Sequence, residues 1–240
     1  ENFRNEIYPE YKANRGETPE DLVPQFDLIK KCVESFNIPQ LELRGYEADD
    51  IIATFVNIAQ KKNINSLIIS SDKDLMQLVS DEVQMHDPMK NRKVGINEVI
   101  EKFGVGPDKV TQIQALTGDK ADNIPGAPGI GPKSATELIS NFGDIENLIK
   151  NYKKIKQLRK QKIIENHKSD IRLSFELVKL KNDVKLPISI EEIIPYNELN
   201  NNTKVLKEFL INQGFKTILQ RLEGNNAIFK NNKIKSESKK

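Results

Sequence analysis

The fold turns on residues 118–135, which read GDKADNIPGAPGIGPKSA. Glycines at 126, 129 and 131 interleave with prolines at 125, 128 and 132, a spacing that defines a tight turn between two regular elements. Gly129 and Gly131 let the backbone bend sharply and come close to a partner. Pro132 suits the first position of a helix, and Ala135, Leu138 and Ile139 give that helix an apolar face. Its first turn, at Lys133 and Ser134, presents free amides and a positive dipole, which makes a phosphate site. With a helix expected over 107–117 ahead of it, the stretch is a helix–hairpin–helix pattern that contacts phosphates and not bases. A tight Gly/Pro loop between two structural helices is the competing reading.

Upstream, the texture is different. A helix is expected to start at Thr18, with Pro19 in its first turn and Leu22, Phe26, Ile29, Val33 and Phe36 inward. Residues 40–43 read as a short strand, and Tyr46–Lys61 as a helix burying Ile51, Ile52, Phe55 and Ile58. Residues 66–70, SLIIS, suit a strand buried on both faces, 72–79 a helix, and 83–86 another strand. This alternation predicts an α/β fold with a mostly parallel sheet flanked by helices, followed by the helical hairpin domain. The expected division is an α/β domain over 1–104, a helical domain over 105–223 and a flexible basic tail over 224–240.

Three acidic clusters fall at the ends of these elements. Glu47, Asp49 and Asp50 open one helix, Asp72 and Asp74 follow the apolar strand, and Asp119 and Asp122 enter the hairpin. Singly, each is ordinary, because acids suit helix starts and surface loops. Converged, seven carboxylates would repel one another unless cations neutralised them. Oxygen ligands without a His or Cys cluster select a hard ion, Mg²⁺ or Mn²⁺. Two such ions support in-line phosphodiester hydrolysis, one activating water and the other stabilising the leaving oxygen.

The net charge of +2 hides an uneven distribution: residues 1–106 carry −6 and residues 107–181 carry +5. Between 150 and 162 stand Lys150, Lys153, Lys154, Lys156, Arg159, Lys160 and Lys162 with no acid among them. A one-sign run favours contact with a polyanion, although a solvated basic helix gives the same composition. Cys32 is the one cysteine, so an internal disulfide is excluded and a reducing cytoplasm is expected. No run is long and apolar enough for a membrane span, and no signal-peptide pattern is present.

With these residues in view, the chain resembles the 5′-nuclease family of PIN-like α/β proteins, most closely the 5′→3′ exonuclease region of bacterial DNA polymerase I. The carriers are FRNEIYPEYKANR (3–15), TPEDL (18–22), GYEADD (45–50), SSDKDL (70–75) and LTGDKADNIPGAPGIGPKSA (116–135), in the family's order. The resemblance implies that Glu47, Asp49, Asp50, Asp72, Asp74, Asp119 and Asp122 bind two Mg²⁺ ions. It also implies that Lys12 and Arg15 lie in an arch over the site, with Arg4 a further candidate for contact with DNA. By the same resemblance, the hairpin residues Gly129, Gly131, Lys133 and Ser134 are expected to grip duplex, with a K⁺ ion held by backbone oxygens. Lys153, Lys154 and Lys156 extend that surface.

The implied activity is cleavage of 5′ ends and flaps of DNA in primer removal and repair, by a nucleoid-associated monomer that is joined in its parent to a polymerase domain. The family's first strand and helix, with two more aspartates, are expected ahead of residue 1, and their loss would leave a structure-specific DNA-binding fragment. A purely DNA-binding protein has no use for seven clustered carboxylates. A PIN-type ribonuclease lacks the hairpin. A phosphatase with an aspartate nucleophile finds no support in Leu75 and Met76 after Asp74.

Overall fold

A computed structural model of the protein describes residues 2–193 and 203–222. The expected tail over 224–240 lies outside the described residues. The chain forms two compact units, one from residues 1–16 and 42–190, the other from 17–41 and 191–240. Among the described residues, no helix is long and apolar enough to cross a membrane.

The first unit opens with helix α1 (Phe3–Ile7), capped by the Asn2 side chain. The segment at 40–43, expected as a strand, does not pair. Instead Gly45 bridges in parallel to Asn2, with the Phe3 amide donating to the Gly45 carbonyl at 3.1 Å. Helix α3 (Ala48–Lys61) follows, and it buries Ile51, Ala53, Val56 and Ala59, leaving Ile52, Phe55 and Ile58 half-buried. Strand β1 (Ser66–Ile69) pairs in parallel with β2 (Val83–Asp87). Strand β3 (Arg92–Val94) returns antiparallel on β2, so one of the two pairings is parallel.

Strand β1 is not buried on both faces. Ile68 is 6% exposed, but Leu67 and Ile69 on the alternate face are 60% and 59% exposed. The stretch after β1 forms a 3₁₀ turn at Asp74–Leu78, shorter than the helix expected over 72–79. Helix α4 (Ile96–Phe103) ends on Gly104, whose φ of 73° is the left-handed cap that glycine favours. Val83, Met85, Val94 and Val99 make the core of this α/β part together with α3.

Helices α5 (Val110–Thr117), α6 (Pro132–Phe142), α7 (Ile145–Lys150), α8 (Leu158–Asn166) and α9 (Lys168–Val178) pack a second core. Pro132 starts α6 as expected, with Gly131 at its cap, and Ala135, Leu138 and Ile139 are buried. Tyr11, from the N-terminal segment, is buried in this same core.

The second unit pairs α2 (Val23–Ser35) with α10 (Thr203–Asn212). Helix α2 begins five residues after the expected start at Thr18. A helix running through 18–35 would set Pro24 in its interior, where the missing N–H and the ring clash are costly. The chain turns at Pro19–Leu22 instead, and Pro24 falls in the first turn of α2.

Candidate active site

The acids converge on the first unit, but in two electrostatic states. Asp49, in the first turn of α3, has no hydrogen-bond or ion-pair partner among the described residues. Burial, then Asp72, Asp74 and Glu47, pushes its carboxyl up to about 6. Asp74 shifts the same way, by burial and by Asp72. Asp72 accepts the Asp74 amide at 2.9 Å, an Asx turn that fixes this pair where the chain leaves β1. These three carboxylates crowd one another with no cation bonded to any of them.

The other acids are matched by the protein's own cations. Glu47 receives Lys12 Nζ at 2.5 Å, the Asn2 amide at 2.9 Å and the Tyr11 hydroxyl at 3.2 Å. Asp122 holds Arg15 at 2.5 Å, with Lys12 Nζ at 3.7 Å. Asp119 holds Lys73 at 2.5 Å and accepts the Ala121 amide at 2.8 Å. Burial alone would raise Asp119, but Lys73 outweighs it and holds the carboxyl below its ordinary value. Among the described residues, no three acids stand close enough together to ligate one ion as the side chains lie.

Two residues take other roles than expected. Asp50 is fully buried and accepts both Arg4 Nη atoms at 2.8 Å, as well as the Lys181 amide at 2.9 Å. Burial opposes its ionisation, yet these donors more than compensate. Its carboxylate oxygens are thus engaged inside the protein. Arg4 is 1% exposed and also donates to the carbonyls of Leu177 and Lys179. DNA cannot reach it.

The loop carrying Asp119 and Asp122 is clamped. Asp119 and Ile124 exchange backbone bonds of 3.0 and 2.7 Å, and Gly118 and Gly126 lie back to back at φ values of 66° and 59°. The N-terminal segment docks on it: Lys12 donates its amide to the Asp122 carbonyl at 3.0 Å, and Asn123 donates to the Glu10 carbonyl at 2.7 Å. Lys12 adopts φ 59° there, so Lys12 and Arg15 are set against the acidic loop by backbone and not by charge alone.

The hairpin lies on the same unit. Gly129 has φ 100°, and Gly131 and Lys133 are exposed at the start of α6, with Ser134 half-buried. Lys153, Lys154 and Lys156 are exposed and make no ion pair to a described carboxylate, whereas Lys160 pairs with Glu137 at 2.6 Å. Sequence reasoning missed Tyr11, Lys73 and Gln114. Gln114 Nε2 donates to Asp74 at 2.5 Å, while its buried Oε1 has no partner among the described residues. Its position one turn before Gly118 was the available signal.

A carboxylate-bearing α/β layer joined to a hairpin-bearing helical module defines the 5′-nuclease class of fold. The chain belongs to the 5′-3′ exonuclease family: the N-terminal resolvase-like domain matches residues 1–104 and the C-terminal SAM fold matches residues 105–202. DNA polymerase I of Rhizobium leguminosarum is 44% identical over 220 residues, covering 92% of this chain and 21% of that protein. The 5′-3′ exonuclease of Aquifex aeolicus is 40% identical over 206 residues, covering 85% of this chain and 70% of that protein. Among solved structures, the T5 D15 protein co-crystallized with metal ions superposes with a TM-score of 0.68 at 25% identity, covering 87% of this chain and 79% of that one. The chain thus spans about a fifth of the polymerase relative's length.

Proposed function

We propose that the chain hydrolyses DNA phosphodiesters at 5′ ends and 5′ flaps, as the nuclease region of a DNA polymerase I-like protein. The observation that carries this reading is the crowded group Asp49, Asp72 and Asp74, none ion-paired to a described cation, in one compact unit with the clamped loop of Asp119 and Asp122. An all-oxygen set under mutual repulsion fits divalent cations. Asp49, Asp72 and Asp74, with Glu47, Asp119 and Asp122, would hold them, and Asp50 would not. Mg²⁺ ions bound there supply Lewis-acid activation of water and of the scissile phosphate.

The chain's own residues do the rest. Lys12 and Arg15 rest on Glu47 and Asp122 and are positioned to exchange those partners for a substrate phosphate. Gln114 orients Asp74, and Lys73 orients Asp119. Gly129, Gly131, Lys133 and Ser134 hold the duplex through its backbone, with K⁺ at the hairpin carbonyls, and Lys153, Lys154 and Lys156 extend the contact. The loop of Asp119 and Asp122, just past the expected boundary near residue 104, joins the catalytic layer to this grip. The substrate is a branched or nicked duplex of any sequence, the chain acts as a monomer in the bacterial cytoplasm, and a polymerase domain is attached in the parent.

The test is incubation with a 5′-labelled flap duplex, in Mg²⁺ and in EDTA. Short 5′ products formed in Mg²⁺ alone are expected. Absence of cleavage of flap, nick and overhang substrates in both Mg²⁺ and Mn²⁺ would contradict the reading.

A further inference from the structure

The acidic turn and the hairpin helix are joined by a line of cations that neither site uses. Ser71, next to Asp72, donates its hydroxyl to Asp87 at 2.8 Å, which ties the β2–β3 hairpin to the acidic turn. That hairpin carries Lys90 in its loop and Arg92 opposite Asp87. Helix α4 then returns from β3 and places Lys102 in its last turn. Beyond Lys102, the Phe103 carbonyl accepts the Thr136 hydroxyl at 2.9 Å, so the end of α4 abuts the first turn of α6, where Lys133 stands.

Lys90, Arg92 and Lys102 make no ion pair to a described carboxylate. The nearby acids are bonded to backbone amides and not to these cations: Asp87 accepts the Met89 and Lys90 amides at 3.0 and 3.2 Å, and Glu98 accepts the Gly95 amide at 2.8 Å. Arg92 Nε is buried without a hydrogen-bond partner among the described residues. Lys102 is held below its ordinary value by desolvation first, then by Lys90, Lys73 and Arg92, with Asp74 opposing, so Lys102 feels both Lys90 and Arg92. Asp87 acts on Lys90, Glu98 on Arg92 and Asp74 on Lys102, but only through space, so these like charges are partly offset and an added anion would relieve them further.

We infer that Lys90, Arg92 and Lys102 form a phosphate track that carries the DNA backbone from the α6 hairpin to the acidic turn at Asp72. The inference rests on the nuclease reading and adds to it a contact surface on the α/β layer. Lys90 and Lys102 are exposed and Arg92 is half-buried, an open basic surface that suits a polyanion better than a single small phosphate.

The experiment is binding of a labelled flap duplex by fluorescence anisotropy, in EDTA to prevent cleavage, over a salt series. The variants are K90Q/R92Q/K102Q, K90Q/K102Q, the charge-preserving K90R/K102R, and K93Q, whose side chain leaves the other face of β3. Each lost phosphate contact flattens the log–log salt slope by about 0.9, so the triple variant should lose about 2.7 and the double about 1.8. K90R/K102R and K93Q should keep the parent slope. The double variant carries the test should the triple variant melt early by circular dichroism. An unchanged slope in both neutralised variants, or an equal loss in K93Q, overturns the track while leaving the nuclease reading intact. No binding by the unaltered chain overturns the nuclease reading and the track with it.

Discussion

Arg4 and Asp50 meet inside the first unit as a bidentate pair, each guanidinium Nη 2.8 Å from one carboxylate oxygen, with exposures of 1% and 0%. The pair joins α1 to α3 and, through Arg4 Nε on the Leu177 carbonyl, to the end of α9. It lies directly behind Glu47 and Asp49 and fixes the helix start that presents them.

Removing one partner leaves the other as a buried, uncompensated charge. Arg4→Gln is therefore expected to cost about 3–5 kcal/mol of stability, read as a lower urea midpoint. Its folded fraction should bind DNA as the parent does. An unchanged midpoint with weakened DNA binding would return Arg4 to the surface role first expected of it.

Asp49 gives a pH dependence of the opposite kind. Its carboxyl titrates near about 6 in the folded protein and at an ordinary carboxylate value when unfolded. Between those values the folded state keeps a proton that the unfolded state releases, so this contribution falls as pH rises through about 6 and is constant above. Asp50 and Asp119, held low, act in the reverse sense, so the comparison must be with Asp49→Asn. In EDTA, that variant should exceed the parent by on the order of 2–3 kcal/mol at pH 7.5 and match it near pH 4. Added Mg²⁺ should raise the parent's midpoint at pH 7.5 more than the variant's. Equal pH profiles for the two proteins would remove Asp49 from the crowded group.

The hairpin was legible because its signal is local: glycines and prolines dictate a turn whatever surrounds them. The β1–β2 layer was legible from apolar runs, and strand β3 was not, since two of its three residues are charged and only pairing to β2 makes it a strand. The start of α2 was less legible, since Thr18 offers a helix cap while Pro24 confines the helix to begin at Val23. The candidate acids were all visible as residue types, but their states were not. Asp50 differs from Asp49 through Arg4, 46 residues away in sequence, and Asp74 is oriented by Gln114, 40 residues away. Such long-range partners leave no periodic trace.

Gly118 and Gly131 separate folding from binding. A Cβ on Gly118 would lie 2.5 Å from the Ile124 carbonyl oxygen, in a backbone of φ 66°, while one on Gly131 meets nothing within 4 Å. Gly118→Ala should thus destabilise the Asp119–Asp122 loop by about 1–3 kcal/mol or more and impair cleavage through it. Gly131→Ala should melt as the parent does but bind flap duplex less tightly, because on the proposed reading the added methyl would stand where backbone phosphate meets α6. Parent-like affinity in a normally folded Gly131→Ala would remove that contact.

The central claim is that Asp72 serves chemistry and not folding. It is exposed, and the one described hydrogen bond of its side chain is within its own turn. The most direct measurement pairs single-turnover cleavage of a flap duplex with binding of the same duplex, for the parent and Asp72→Ala. The account predicts cleavage reduced by at least about a thousandfold, roughly 4 kcal/mol of transition-state stabilisation, with affinity in EDTA within a few-fold of the parent. Cleavage at the parent's rate by Asp72→Ala would contradict it.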